Sequence, residues 1–437
     1  MMESIQNIFR VPDLKKKLGF TLLAVAMYRL GGHLPLPGVD AHALGMLMGQ
    51  LKQQGSLFGI YDIFVGGALS RAAILALGVM PYISSSIIFQ LLGSVIPQIE
   101  KLQRDQAGRR KITQYTRYLT VALAAFQAIS IAIYLEMQQF SSGGVVLRIV
   151  TDPSWMFRLS TMLTLTCGSI FAMWIGEQIT EKGIGNGISF IIFIGCLEEY
   201  PSYFFRTVQL VMTQGLSIIS LIVIIIIMVL IVAAVIVMTQ ATRRIPVQYP
   251  KRVVGRRMYG GQSTFLPLRV NTAGVIPIIF AQSLVVFPAT VASYVPALKP
   301  IIEVFHNGFW AYDLSYFLLI VFFTYFYTSI VFNPQELADN MKRYGGFVPG
   351  IRPGGKTADF VDDILSKITL PGSLFLGFIA LVPWYLISFL KVPFYFGGTT
   401  LLIIVGVALD TIQQIEAQLM MYHYEGFMKR GKIRGRR

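Results

Sequence analysis

Leu216 to Met238 reads LSIISLIVIIIIMVLIVAAVIVM, with Ser217 and Ser220 as its only hydroxyls and no charged side chain. A helix of about 20 predominantly apolar residues crosses hydrocarbon about 30 Å thick, so this run is a membrane span, and being apolar on every side it faces lipid. The same ruler moved outward from 215–239 finds candidates near 18–36, 72–96, 116–135, 156–176 and 184–204 before it, and near 273–294, 314–333, 369–390 and 398–420 after it. The whole chain agrees: of 437 residues 54% are apolar and 14% charged, and mean hydropathy is +0.62. Water-soluble chains carry roughly 25% charged residues, so several soluble globules are excluded, as is disorder. The expected class is an all-α polytopic membrane protein with ten transmembrane helices.

The fifth span is the weakest, because Gly183, Gly185 and Gly187 crowd its start and the clean apolar run from Ile184 to Leu197 is short. Loop charges support it. With ten alternating spans, 29 of the 37 Lys and Arg residues fall on one side, seven on the other, and Arg29 lies inside the first span. The positive-inside rule makes the basic side, with both termini, cytoplasmic. Arg10 and Lys15 to Lys17 precede the apolar run from Leu18, but no small-residue cleavage site follows, so the first span is read as uncleaved. Cys167 and Cys196 both lie in apolar stretches and offer neither a disulfide framework nor metal spacing.

Leu77-Gly78-Val79-Met80-Pro81-Tyr82-Ile83-Ser84 in the second span matches Ala273-Gly274-Val275-Ile276-Pro277-Ile278-Ile279-Phe280 in the seventh, and each is followed by a second proline, Pro97 or Pro288. A repeat displaced by five crossings is upside down, so spans 1–5 and 6–10 are expected to form two inverted five-helix halves with a path at their interface. Chance matching of Gly and Pro, common in membrane helices, is the competing reading. Polar positions mark the interior spans: Ser84, Ser85, Ser86 and Gln90 in the second, Asn186 in the fifth, Asn271, Gln282 and Ser283 in the seventh. Polar groups facing lipid are unfavourable, although tight helix packing uses the same residues. Pro81 and Pro277 each free a carbonyl one turn back, which predicts two hinged helices able to separate.

Residues 57–71 are apolar but too short to cross, and fit either a helix folded into the mouth of the molecule or an interfacial helix on the outer surface. The loop 240–270 holds Arg243, Arg244, Lys251, Arg252, Arg256, Arg257 and Arg269 with no acidic residue, and 334–368 mixes Lys342, Arg343, Arg352 and Lys356 with Asp359, Asp362 and Asp363. Such loops are topogenic at the least. Their Gly-Arg-Arg and Pro-Gly-Ile-Arg-Pro-Gly punctuation also suits docking surfaces, and with the basic tail they point to a large anionic partner. No P-loop, His-Glu-x-x-His or Gly-x-Ser-x-Gly occurs. Asp410 is the one carboxylate read as lying well inside a span, an ion site or, preferably, a wetted vestibule wall, and no intramembrane charge pair stands out. Those gaps weigh against an ion-coupled transporter and an intramembrane enzyme. No catalytic residue, metal or cofactor is expected.

Five longer motifs carry a resemblance: Gly66-Gly67-Ala68-Leu69-Ser70-Arg71, Gly78 to Ser84, Gly183-Ile184-Gly185-Asn186-Gly187-Ile188-Ser189, Arg256-Arg257-Met258-Tyr259-Gly260-Gly261-Gln262-Ser263 and Tyr344 to Gly354. The chain resembles the bacterial SecY family, channel-forming subunits of the Sec protein translocase, from the first span to the tail. The resemblance implies two five-helix halves around a central pore, closed by a short plug helix and opening sideways between spans 2–3 and 7–8. By motif, the plug is Leu57 to Ser70, including Leu57, Phe58, Ile60, Tyr61, Ile63, Phe64, Gly66 and Gly67. The pore ring is Ile83, Ile87, Ile188, Ile192, Ile279 and Ile403, a branched apolar gasket that discourages water and ions by dewetting. Lateral-gate residues fall among Ser84, Ser85, Gln90, Asn271 and Gln282. Implied docking residues for the SecA motor or the ribosome are Arg243, Arg244, Lys251, Arg252, Arg256, Arg257, Arg352 and Lys356. Implied partners are SecE, SecG, SecA, the ribosome, signal sequences, unfolded secretory chains and membrane lipid, and the implied location is the bacterial cytoplasmic membrane. The organisation is then a cytoplasmic segment 1–17, an N-terminal half 18–204, a C-terminal half 215–420 and a tail 421–437.

Overall fold

The computed structural model describes residues 11–53, 57–137, 139–142, 145–213, 217–249, 252–254, 257–259, 263–292, 310–390 and 398–430. A helix coincides with each of the ten expected spans: α1 (Pro12–Gly31), α4 (Met80–Val95), α6 (Gln106–Met137), α7 (Trp155–Lys182), α8 (Gly187–Met212), α9 (Ile218–Gln240), α10 (Ile276–Ala292), α11 (Trp310–Val331), α13 (Gly355–Leu390) and α14 (Gly398–Arg430). Between them lie the short helices α2 (Ala41–Gln53), α3 (Leu57–Phe64), α5 (Pro97–Arg104) and α12 (Pro334–Arg343). By length and apolarity alone seven helices qualify as spans among the described residues, or eight counting α4 with α5, which meet at a 113° bend. Helix α1 is diluted by its basic first turns, α10 has only 17 residues, and α4 is short because the first part of its span is not helical.

That last point corrects the sequence reading. The second span was expected from residue 72, yet 65–79 fold as successive turns and α4 begins at Met80. Non-helical backbone survives at membrane depth only when protein satisfies it, and here it does. Ala73 N donates to Ala68 O at 2.8 Å, Ile74 N to Leu34 O at 2.9 Å, and Gly78 N to Leu75 O at 2.9 Å. Ser169 Oγ on α7 donates to Gly78 O at 3.0 Å, and a Cβ on Gly168 would sit 2.2 Å from Ile74 O, so α7 lies directly against the turns. Pro81 and Pro277 therefore stand in the first turns of α4 and α10, where a missing N–H breaks no helical bond. They start helices, and the expected proline hinges inside spans are absent. The repeat extends to the backbone instead: Gly78 and Gly274 both take left-handed φ, +53° and +65°, two residues before their helices begin.

Each half is a self-packed bundle. In the first, α7 packs on α6, α8 and α1, and α6 on α4; in the second, α13 packs on α11 and α14, α10 on α11, and α9 on α14. The halves meet chiefly where α8 packs on α14 and where α10 packs on α4, with α10 also touching α6 and α3. One continuous core runs through both, from Ile83, Ile87 and Ile192 to Ile279, Phe323 and Ile403. Helix α9, the all-apolar run that opened the reading, exposes Ile219, Ile222, Ile225, Ile226, Val229 and Leu230, as a lipid-facing helix should.

The two large loops are one body rather than two. Strand β3 (Thr242–Gln248) pairs antiparallel with β6 (Ser263–Arg269), with β4 (Arg252–Val254) and β5 (Arg257–Tyr259) at the tip, while β1 (Gln139–Ser142) and β2 (Val145–Arg148) form a separate hairpin. Gln248 and Phe347 bridge the loops with reciprocal backbone bonds of 2.9 and 3.0 Å. Ile245, Val247 and Leu268 from one loop bury against Met341, Val348, Val361 and Leu365 from the other.

Candidate functional site

Ile83 on α4, Ile188 and Ile192 on α8, and Ile279 on α10 converge on the lining of a cavity of about 420 Å³. Its upper wall is polar, with Gln90, Thr113, Arg117, Glu177, Thr180, Glu181, Asn186 and Ser189. These residues adjoin the segments 97–115 and 177–183, so the cavity opens toward the basic side. Arg117 clasps Glu177 through two bonds, Nε to Oε1 at 2.9 Å and Nη2 to Oε2 at 2.8 Å. Ile83, Ile192 and Ile279 are buried, and Ile87 and Ile403 lie deeper in the same core without lining the cavity. All six isoleucines thus face protein interior, none of them lipid.

Helix α3 packs against α8 and α10. The backbone of Leu57, Phe58 and Ile60 is helical, and Tyr61, Ile63 and Phe64 are buried against α8 and α10. Of the two sequence-level alternatives, the helix takes the one folded into the molecule. Tyr61 Oη donates to Leu77 O at 2.9 Å, and Asp62 Oδ1 accepts from Ser70 N at 2.9 Å, closing the turn that Gly66 and Gly67 permit with φ of +71° and +70°.

Across the α4–α10 seam, Ser283 Oγ donates to Ile279 O at 2.8 Å and lies 3.9 Å from Met80 Sδ. Ser85 is fully buried with its hydroxyl on Pro81 O at 2.8 Å, and Ser84 is half-buried. Gln90 Nε2 reaches Ser86 Oγ at 3.0 Å, but buried Gln90 Oε1 and Gln282 Nε2 have no partner among the described residues. Asn271 belongs elsewhere. It shares a small pocket with Thr239, Phe375, Gly406 and Asp410, and donates to Gly274 O at 3.2 Å, so it faces α9, α13 and α14 rather than α4. Asp410 itself is exposed at that pocket's edge.

The SecY family model matches residues 73–412 of this chain. The chain belongs to the SecY family. It is 44% identical to the protein translocase subunit SecY of Aquifex aeolicus, covering 98% of this chain and all of that protein, and 44% identical to that of Escherichia coli K12, covering 97% and 96%. In fold it is similar to a solved "protein conducting channel" (TM-score 0.61, 18% identity) and to "Sec61 in the Canine ribosome-channel complex from the endoplasmic reticulum" (TM-score 0.60, 17% identity), each match covering 92% of both chains. A further solved structure (TM-score 0.62, 18% identity) concerns a SecY plug domain that stabilises the closed state and maintains a membrane seal. The chain is accordingly a multi-pass membrane protein of a translocation-channel family.

Of the residues expected to dock a partner, Arg243, Arg244, Arg352 and Lys356 are exposed on the joined loops. Arg352 anchors its turn only through its carbonyl, which accepts from Thr357 Oγ1 at 2.9 Å. Lys251 and Arg256 lie outside the described residues, as do the side chains of Arg252 and Arg257 and the tail from 431.

Sequence reasoning missed the ionic groups inside the bundle. Against the expectation of no intramembrane charge pair, Glu198 on α8 accepts from both Arg29 and Arg71, and buried Asp313 on α11 accepts from Tyr385 on α13. The partners are far apart in sequence, so no local spacing announces them. One signal was available: Arg29 inside an apolar span requires an anionic partner, and Glu198 is among the few acids within another span.

Proposed function

We infer that this chain is the conducting subunit of a bacterial protein translocase. It passes unfolded secretory polypeptides across the cytoplasmic membrane and releases apolar segments sideways into lipid between α4 and α10. One observation carries the reading: branched apolar side chains from both halves close the floor of a polar-walled cavity, with a short buried helix stacked beyond them. A ring of isoleucines makes no strong bond across its centre, so it sheds water and ions at rest and parts around a threading chain. The α4–α10 contact suits a lateral gate, since each helix carries a buried amide, Gln90 on α4 and Gln282 on α10, with hydrogen-bonding capacity unmet among the described residues. Buried amides left unpaired are unfavourable by about 1–3 kcal/mol each, which biases that seam toward opening when a signal sequence provides partners.

In this reading the joined basic loops are the landing surface for SecA or the ribosome, with Arg243, Arg244, Arg352 and Lys356 as charge-assisted donors to anionic groups. Lys251, Arg252, Arg256 and Arg257 extend the same surface. Both termini are cytoplasmic, following the charge asymmetry. SecE and SecG complete the assembly, and nucleotide chemistry resides in the motor or ribosome.

A photoreactive amino acid at Ile192, with a secretory chain stalled in transit, tests the reading. The expected result is a crosslink from Ile192 and from Ile87, and none from lipid-facing Ile225. A stalled chain that crosslinks Ile225 but neither ring position refutes it.

A further inference from the structure

We propose that Glu198 is a positioning residue that fastens the plug to span 5 and so holds the resting channel shut; this rests on the channel reading above. The three groups come from three parts of the N-terminal half. Arg29 is in the last turn of α1, Arg71 follows the plug, and Glu198 lies on α8. Glu198 Oε1 accepts from Arg71 Nη2 at 2.8 Å, and Oε2 accepts from Arg29 Nη1. Each arginine also grips backbone at the joint, Arg71 Nη2 on Gly66 O and Arg29 Nη2 on Ile194 O. His33 ties the two together, its Nδ1 2.9 Å from Arg29 O and its Nε2 3.1 Å from Arg71 Nη1.

The joint between plug and span 5 has no slack. A Cβ on Gly66 would lie 2.7 Å from both Arg29 Nη1 and Glu198 Oε2, and 3.1 Å from Gly195 Cα. A Cβ on Gly195 would lie 2.5 Å from Phe64 O. The carboxylate therefore sits where the end of the plug helix presses on α8. Among the described residues it is the anion shared by these two cations, whose side chains are 21% and 37% exposed. Without it the guanidinium groups repel each other in a poorly solvated site, and the repulsion acts on Arg71, the one that travels with the plug.

The anchor and the seal share one helix. Ile188 and Ile192 line the cavity floor, and the next turns of α8 supply Ile194 O, Gly195 and Glu198. Any shift of α8 that widens the ring also moves the carboxylate away from Arg71. Ring opening and plug release are thereby coupled through a single rigid element.

The test compares wild type with Glu198→Gln, Glu198→Asp and Arg71→Gln in reconstituted translocase. Two readouts are used: resting ion conductance, and the labelling rate of a cysteine replacing buried Ile63 by a water-soluble maleimide, with Cys167 and Cys196 replaced by alanine. Glu198→Gln and Arg71→Gln are expected to raise both about tenfold or more, the scale of one lost charge-assisted hydrogen bond, and Glu198→Asp to fall between them and wild type. Arg71 lies outside every helix, so its variant decides the matter if Glu198→Gln does not fold. Variants that lower the melting temperature yet leave conductance and labelling at wild-type values overturn the proposal and make the triad architectural. If wild type itself transports no secretory chain, the channel reading falls; if it transports and the variants stay sealed, only the anchor falls.

Discussion

Replacing Ile83 and Ile279 together by glycine probes the constriction directly. Both side chains are about 95% buried, at 4% and 5% exposure, and both line the cavity floor from opposite halves of the molecule. Burying an isoleucine side chain is favourable by about 1.5–3 kcal/mol, so losing both removes about 3–6 kcal/mol of preference for the dry, closed floor. Each 1.4 kcal/mol is about tenfold in an equilibrium, which predicts at least about a hundredfold rise in the wetted fraction. Glycine also weakens a helix by about 1 kcal/mol, and that effect needs a control. Ile88, the next residue on α4 after Ile87, is 37% exposed and lines no described cavity, so Ile88→Gly shows what one such helix penalty, half that of the double variant, does without touching the floor. Conductance of reconstituted channels in planar bilayers is the assay. A double variant no leakier than Ile88→Gly refutes the gasket.

Arg352→Glu is expected to abolish most motor-driven export while leaving the loop folded, because its side chain is exposed and only its carbonyl holds the turn; export by purified vesicles together with a protease fingerprint checks this, and undiminished export contradicts the docking role. Val247→Asp places a charge in the core shared by the two loops and is expected to destabilise that core by about 3 kcal/mol or more. Limited proteolysis then cuts within 240–270 and 334–368 together, and selective cleavage of the first alone contradicts the joined core. Gly168→Ala drives a Cβ to within 2.2 Å of Ile74 O and is expected to destabilise by about 1–3 kcal/mol, read as a lowered melting temperature in detergent; an unchanged value means the turns at 65–79 yield freely.

That a helix stands at each expected span, and that four of the isoleucines gather at one cavity, was legible because hydropathy, charge asymmetry and motif each act at one position or over one helix length. The misreadings share a cause. At 72–79 the residues are apolar enough for a span, and only the contact of Gly168 with Ile74 O and the bond from Ser169 to Gly78 O show that turns replace the first half of the helix. Composition reports depth in the membrane but not whether neighbouring protein satisfies the backbone. The same blindness assigned hinges to Pro81 and Pro277, since a proline reads as a kink or as a start depending on where its helix begins. Asn271 was grouped with Gln282 because both sit near span 7, yet Asn271 faces α9, α13 and α14, while Gln282 is buried within α10. Glu198 needed two arginines from outside its own helix before its role could be seen.

The placement of these groups argues which parts move. Within the N-terminal half, α1 is tied to α8 through Arg29 and Glu198, and α6 to α7 through Arg117 and Glu177. Across the α4–α10 seam, by contrast, the polar contact described is the weak one of Ser283 with Met80, and Gln90 and Gln282 have bonds to gain. Separating the halves there breaks no described charge-assisted bond, whereas unpicking the N-terminal bundle breaks several and the C-terminal one the Tyr385–Asp313 bond, which argues that each half moves as a body and the seam opens first. The contest is then between apolar packing, worth a few kcal/mol, and the amide capacity that an incoming segment satisfies. A segment that binds the parted seam about 10⁴-fold better than the closed one shifts a 1:99 population to 99:1. An apolar signal helix flanked by backbone polar groups has the chemistry to do so, and an ordinary soluble stretch has not, so the selectivity of the channel follows from the same weak seam that lets it open.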